Sequence, residues 1–261
     1  MPDGVDNLVG AIGDAVKTVP TLYEDAFQPT VQEVGKFAAR IPRAINAAFS
    51  GLDKWILNKE YNIDETKKLL AYKLENVDPK KIVEPEPYVA IPAIQSISYS
   101  MNSEELRNLY ANLLAKAMNA DTKETVHPAY IETIKQLSPD DAAYFKHICP
   151  LDCRPMVDVV LDFPSLSRVC VTGNANLFSN GHVKNFELAL DNLSRLGLVN
   201  TPNDTWYGNE SLYDPLILVL KKEYSHTSLK FQFPQSTGIS FVKKKLDITA
   251  YGKSFYNTCC I

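Results

Sequence analysis

The sequence predicts a mainly α chain with an α+β C-terminal part. A helical N-terminal and central region precedes a winged helix-turn-helix-like domain. Apolar residues recur at helical spacing through the first half of the chain. At Ser138-Pro139-Asp140-Asp141 an N-cap serine, a proline at the first helical position and two acids at the positive dipole end mark a helix start. Beyond it the texture changes, with strand-like runs at Val157–Leu161, Leu229–Phe233 and Ile239–Ile248 between helical segments.

In the N-terminal segment, 1–59, Val5, Leu8, Val9, Ile12, Ala15, Val16 and Val19 keep helical spacing. Pro20 and Pro29 bracket a short helical turn. A long amphipathic stripe follows through Val31, Val34, Phe37, Ile41, Ile45, Phe49, Leu52, Trp55 and Ile56, opposite a polar face of Glu33, Lys36, Arg40, Arg43 and Asn46. Pro42 interrupts it, so a kink or a junction of two helices is expected there. In the central domain, 60–138, a helix starts near Asp64 and ends before Pro79. Glu84-Pro85-Glu86-Pro87 is extended, because residues before proline avoid the helical region. Helices are predicted near Tyr88–Met101, after an Asn102 cap completed by Glu105, and from His127-Pro128 onward. In 139–261, a helix over Val183–Leu196 stops at Gly197, a natural left-handed cap. Leu212–Tyr224 is helical after Pro215, and LDITAYGKSF at 246–255 supplies the returning wing strand.

Composition excludes several classes. With 45% hydrophobic and 22% charged residues this is a globular chain, and its net charge of −4 gives no global attraction to nucleic acid or anionic lipid. The five cysteines are odd in number and clustered late, which fits a reducing compartment better than a disulfide framework. MPDGVDNLVG has neither a basic leader nor a long apolar core, so no signal peptide is expected. No apolar run reaches the ~18 residues of a spanning helix.

Candidate chemistry is sparse. His127, with Glu132 one turn on, reads as a capping or packing histidine, since no second ligand stands at a fixed spacing. His147, Cys149 and Cys153 lack a second knuckle, and the adjacent Cys259 and Cys260 are poorly spaced as ligands, so no metal and no cofactor is expected. Lys243-Lys244-Lys245 on the presumed wing is the concentrated basic patch, the candidate for nucleic-acid contact. Charges of both signs balance over 139–261, and the third helix carries Glu187 and Asp191, so nucleic acid is not the favoured partner. Phe37, Phe49 and Trp55, each worth roughly 1.5–3 kcal/mol when buried, with Arg40, Arg43 and Lys54 beside them, form the candidate face for a protein partner or a membrane surface. Core helices show the same stripe, so docking on the central helices is the competing reading.

Phrases spread along the chain resemble the Abi-alpha (abortive infection alpha) family: YEDAFQPTVQEVGK at 23–36, VEPEPYVAIPAIQ at 83–95, EELRNLYANLLAKAMN at 104–119, HPAYIETIKQLSPDDA at 127–142, NLSRLGLV at 192–199 and LDITAYGKSF at 246–255. The resemblance implies bacterial defence in which an infected cell dies or stalls before phage mature. It assigns no reaction and no catalytic residue. The expectation is a non-enzymatic, cytoplasmic protein, peripheral to the inner membrane when it touches it, acting through a protein partner or homo-oligomer. A DNA-binding winged-helix regulator is the alternative.

Overall fold

The computed structural model describes residues 40–49, 60–97, 100, 102–164, 167–177, 186–202 and 204–261. The chain divides into Met1–Arg40 and Ile41–Ile261, and the architecture below is that of the second unit. It is mainly α with a small antiparallel sheet.

The helical core is built from α1 (Arg40–Phe49), α2 (Glu60–Leu74), α3 (Pro87–Ile97), α4 (Glu104–Ala117), α5 (Ala129–Lys135) and α6 (Pro139–Ile148), joined later by α7 (Phe186–Arg195). α4 is central: Leu109, Tyr110, Leu113, Leu114 and Ala117 are buried, and the helix touches α2, α3, α5, α6 and the C-terminal turn. One apolar cluster joins Leu70 of α2, Ile94 of α3, Leu114 of α4, Phe145 of α6 and Leu193 of α7. Residues on both sides of position 138 therefore share a core. Ile45 is buried in it and Ile41 packs against it, so the described part of the N-terminal stripe docks on the core.

Local signals set the helix ends. Ser138 accepts from the Asp141 N–H at 3.1 Å while Asp141 accepts from the Ser138 N–H at 2.7 Å, a complete capping box. α7 ends in a Schellman motif: the Leu198 N–H reaches the Leu193 carbonyl and the Gly197 N–H the Ser194 carbonyl, both at 3.0 Å, with Gly197 at φ +71°. Glu84-Pro85-Glu86 is extended up to Pro87.

A second layer, the sheet annex, contains β1 (Pro155–Asp162), β2 (Arg168–Ala175) and β4 (Gly238–Lys245), antiparallel in the order β2-β1-β4. Between them in sequence lie β3 (Val199–Asn200), α8 (Asp214–Glu223) and α9 (His226–Lys230). Val157 and Val159 pack with Tyr213, Leu216 and Leu220 in a separate small core. β5 (Asp247–Ile248) leaves the annex to pair antiparallel with β3, and α10 (Ala250–Phe255) runs into a π-helical turn at Tyr256–Cys260.

Several expectations shift. Leu229–Phe233 is not a strand: Ser225 caps the Ser228 N–H and starts α9, so the alternation of Leu229, Phe231 and Phe233 is overridden by a local cap. Ile239–Ile248 is two strands in different sheets, broken at the buried Leu246. The cap of α4 is Ser103, which accepts from the Leu106 N–H, rather than Asn102. α2 starts at Glu60, ahead of Asp64, and α3 spans Pro87–Ile97; α7 is described from Phe186, the expected start at Val183 lying outside the described residues. β2 was not anticipated.

Candidate functional site

Arg154 stands where β1 leaves the helical core. Its side chain turns back onto the open end of α6, where Nε donates to the Ile148 carbonyl and Nη2 to the Cys149 carbonyl, both at 2.7 Å. A cation there adds a donor to the Cys149 carbonyl and to the Ile148 carbonyl, which also accepts from the Leu151 N–H at 3.2 Å, and complements the negative helix end. Its backbone is clamped as well: the N–H donates to the Tyr207 hydroxyl at 2.9 Å and the carbonyl accepts from the Leu246 N–H at 3.0 Å. Tyr207 in turn donates its N–H to the Tyr213 hydroxyl, which donates to the Lys244 carbonyl, each at 2.9 Å. This relay ties both exits of the annex to the core.

Facing Arg154 is α10. Thr249 caps it, accepting from the Gly252 N–H at 2.8 Å and donating to the Gly197 carbonyl at 2.6 Å. A side chain at Gly252 would lie 2.0 Å from the Leu198 carbonyl oxygen, so glycine is what allows the helix to approach β3 this closely. Tyr130 donates to Ser254 at 2.6 Å, Thr133 and Tyr251 share a hydrogen bond at 2.7 Å, and Phe255 meets Tyr130 and Phe145 edge-on. Asn112 donates to the Cys259 carbonyl at 2.7 Å.

Between these walls lies an open cleft of about 310 Å³, lined by Cys149, Arg154, Ile248, Lys253, Tyr256 and Asn257. Burial pushes the Cys149 thiol up to about 12, with Cys260 adding to the rise and Arg154 opposing it, so at neutral pH Cys149 is a thiol and a poor nucleophile. The cleft presents cations, an amide and an aromatic ring, an arrangement suited to holding a ligand.

The residues singled out from sequence fall elsewhere. Lys243 pairs with Glu210 at 2.9 Å and lies over the Tyr213 ring, Lys244 pairs with Asp158 at 3.2 Å and Asn174 at 2.8 Å, and Lys245 pairs with Asp247 at 2.9 Å. All three close β4 in the annex sheet, not the β3–β5 ladder. Arg43 is exposed on α1, and Arg40 begins that helix. Phe37, Lys54 and Trp55, and the side chains of Arg40 and Phe49, lie outside the described residues. His127 precedes α5, whose N-cap is Pro128, and its Nδ1 accepts from the Ala129 N–H at 3.1 Å. Among the described residues no group of His, Cys, Asp and Glu could hold a metal ion, and no helix is long and apolar enough to cross a membrane.

A family model described as abortive infection alpha matches residues 58–259. The chain belongs to that family. No curated protein and no solved structure matches it. The abortive infection alpha match takes in the annex, the cleft lining and most of the helical core. It begins after Trp55, so Phe37, Arg40, Arg43, Phe49, Lys54 and Trp55 precede it. Arg154, Lys253, Tyr256 and Asn257 escaped sequence reasoning as a group because they carry no shared spacing. LDITAYGKSF at 246–255 contains Lys253 but stops short of Tyr256 and Asn257.

Proposed function

We propose that this chain is an antiphage protein of abortive-infection type that works without catalysis, through association with a protein partner or a second copy and through contact with the inner-membrane surface from the cytoplasm. The observation that carries this reading is the family match over 58–259. What supports the non-catalytic part is the occupation of the ionisable groups. Asp141 is bound in a capping box and to Asn192 at 2.8 Å, the lysines at the end of β4 sit on acids, and Cys149, Cys259 and Cys260 are kept protonated by burial.

We read α5, α6 and α7 with the β3–β5 ladder as a winged helix-turn-helix-like module. The Asn192–Asp141 link between the second and third helices supports this, with β1 and β2 inserted between those helices and α8, α9 and β4 between the two ladder strands. The outer face of the third helix shows Glu187, Asp191 and Leu188, the last 66% exposed, while Arg195 is tied to Asn192 and Gln136. A phosphate backbone requires free cations, and an apolar residue between acids suits a protein surface better. This favours protein contact over DNA.

The test is phage challenge of bacteria expressing the full chain, with culture survival and membrane potential followed after infection. Phe37→Glu, Phe49→Glu and Trp55→Glu together are expected to abolish protection while the protein remains expressed. Full protection by the triple variant would remove the membrane and partner face from the proposal.

A further inference from the structure

The cleft between the α6–β1 turn and α10 is unbalanced in charge. Its lining carries Arg154 and Lys253 and no carboxylate. Arg154 is only 9% exposed, and two of its nitrogens are spent on helix carbonyls, so its position is fixed before any ligand arrives. Among the described residues, its Nη1, the Lys253 ammonium and the Asn257 side-chain amide have no hydrogen-bonding or ion-pair partner. The same sign continues behind the wall. Lys146 lies one turn before Cys149 on α6, and the Lys73 ammonium has its pKa lowered by burial and then by Lys146. Neither lysine has an acidic partner among the described residues. A folded chain with a net charge of −4 has acids to spare, yet none lines this cleft.

Size and chemistry narrow the ligand. A volume of about 310 Å³ is at the lower end for small-molecule pockets, which begin near ~300 Å³. One fixed cation, Arg154, beside the exposed Lys253 ammonium matches a dianion better than a single carboxylate. Tyr256 and Ile248 add an apolar wall that a bare anion would leave uncovered. We propose that this cleft binds a small organic phosphate, the phosphoryl group held by Arg154 and Lys253 with Asn257 donating to it, and the organic part lying against Tyr256 and Ile248. The assignment is independent of the defence reading above, since it rests on the cleft alone.

The experiment is calorimetric titration of the full chain with phenyl phosphate, inorganic phosphate and benzoate, in parallel and at fixed ionic strength. Saturable binding is expected, tightest for phenyl phosphate. Lys253→Gln should weaken it about tenfold, the equivalent of one charge-assisted contact, and Asn257→Ala by about threefold. Lys253 and Asn257 are exposed, so both variants should unfold at the temperature of the parent. Lys243→Gln, in the annex, should leave binding unchanged. Absence of saturation would overturn the assignment, as would an equal loss in Lys243→Gln, which marks diffuse attraction only. Inorganic phosphate or benzoate binding as tightly as phenyl phosphate would overturn it too.

Discussion

In the helical core the largest buried side chains come from segments far apart in sequence: Tyr110 and Leu114 from α4, Phe145 from α6, Phe255 from α10. Each is enclosed on several sides by other helices. In the annex, Val157 and Val159 of β1 meet Tyr213, Leu216 and Leu220, while Asp158 and Asp162 of the same strand make polar contacts beside buried Met156 and Val160. There Asp158 accepts from the Asn174 N–H at 2.7 Å and from Lys244, while Asp162 holds Arg168 at 3.0 Å and the Ser240 hydroxyl. Apolar residues of the annex also reach solvent, Phe231 being 92% exposed with Leu218 and Val219 nearby in sequence. The contrast teaches that burial dominates one layer while specific polar contacts hold the other in place. The two should therefore respond differently to the same kinds of damage.

The largest effect is expected in the core. Phe255→Ala removes a ring packed against Phe145 and Tyr130 and should cost about 3–5 kcal/mol, read as a lower urea midpoint for the whole unit. A loss below about 1 kcal/mol would mean that α10 is not part of the cooperative core.

Alkaline pH attacks the same layer. Burial is the main cause that raises Cys149 and Cys260 to about 12 and lifts Cys259 well above the ordinary thiol range. These thiols stay protonated in the fold, whereas the unfolded chain releases its protons above about 8.5. The unfolded state then binds fewer protons, so stability is intact below that value and falls as pH rises towards the folded pKa. Under reducing conditions the drop between pH 8 and 10 should be about 2 kcal/mol for each thiol held protonated in the fold. A flat urea-midpoint profile over that range would show that the thiols ionise freely in the native state.

A smaller change should separate the layers. Tyr213→Phe leaves the Tyr207 N–H and the Lys244 carbonyl without their shared hydroxyl, a loss of about 1–3 kcal/mol. Amide exchange should quicken in β1, β2 and β4 while α4 keeps its protection. Equal acceleration in both would merge them into one cooperative block. Least of all, Lys243→Gln breaks a pair whose Glu210 partner is 70% exposed, and should change stability by under ~1 kcal/mol.

What the sequence made legible follows from how local each signal is. Ser138 at the start of α6 and Gly197 at the end of α7 act over three or four residues, and each is found where it was placed, whereas Pro87, expected in the extended run, is the first residue of α3. Asn102 and Ser103 are both competent caps, so choosing between them needed the tertiary fit of α4. β2 was hidden because its pairing with β1 is irregular at Val157/Val159 and Val159/Val160, and because Gly173 and Asn174, the latter at φ 56°, break the alternation that marks a strand. The cleft was harder still. Its lining comes from 149, 154, 248 and 253–257, stretches joined only when β5 crosses from the annex to β3. The lysine triplet was visible as a charge run, but whether it is free or neutralised depends on Glu210, Asp158 and Asp247, which no spacing rule connects to it.

The approach of Gly252 to Leu198 also bears on how the molecule is made. Phe255, Cys259 and Cys260 reach the interior only after α10 has settled against β3, so the ribosome must translate past residue 260 and let that stretch emerge before the interior can seal. Until then α4 and α6 offer a sticky groove to whatever is near. Nascent chains of this protein should thus be clients of holding chaperones until that stretch has emerged, and a stall before it would leave a species prone to clump.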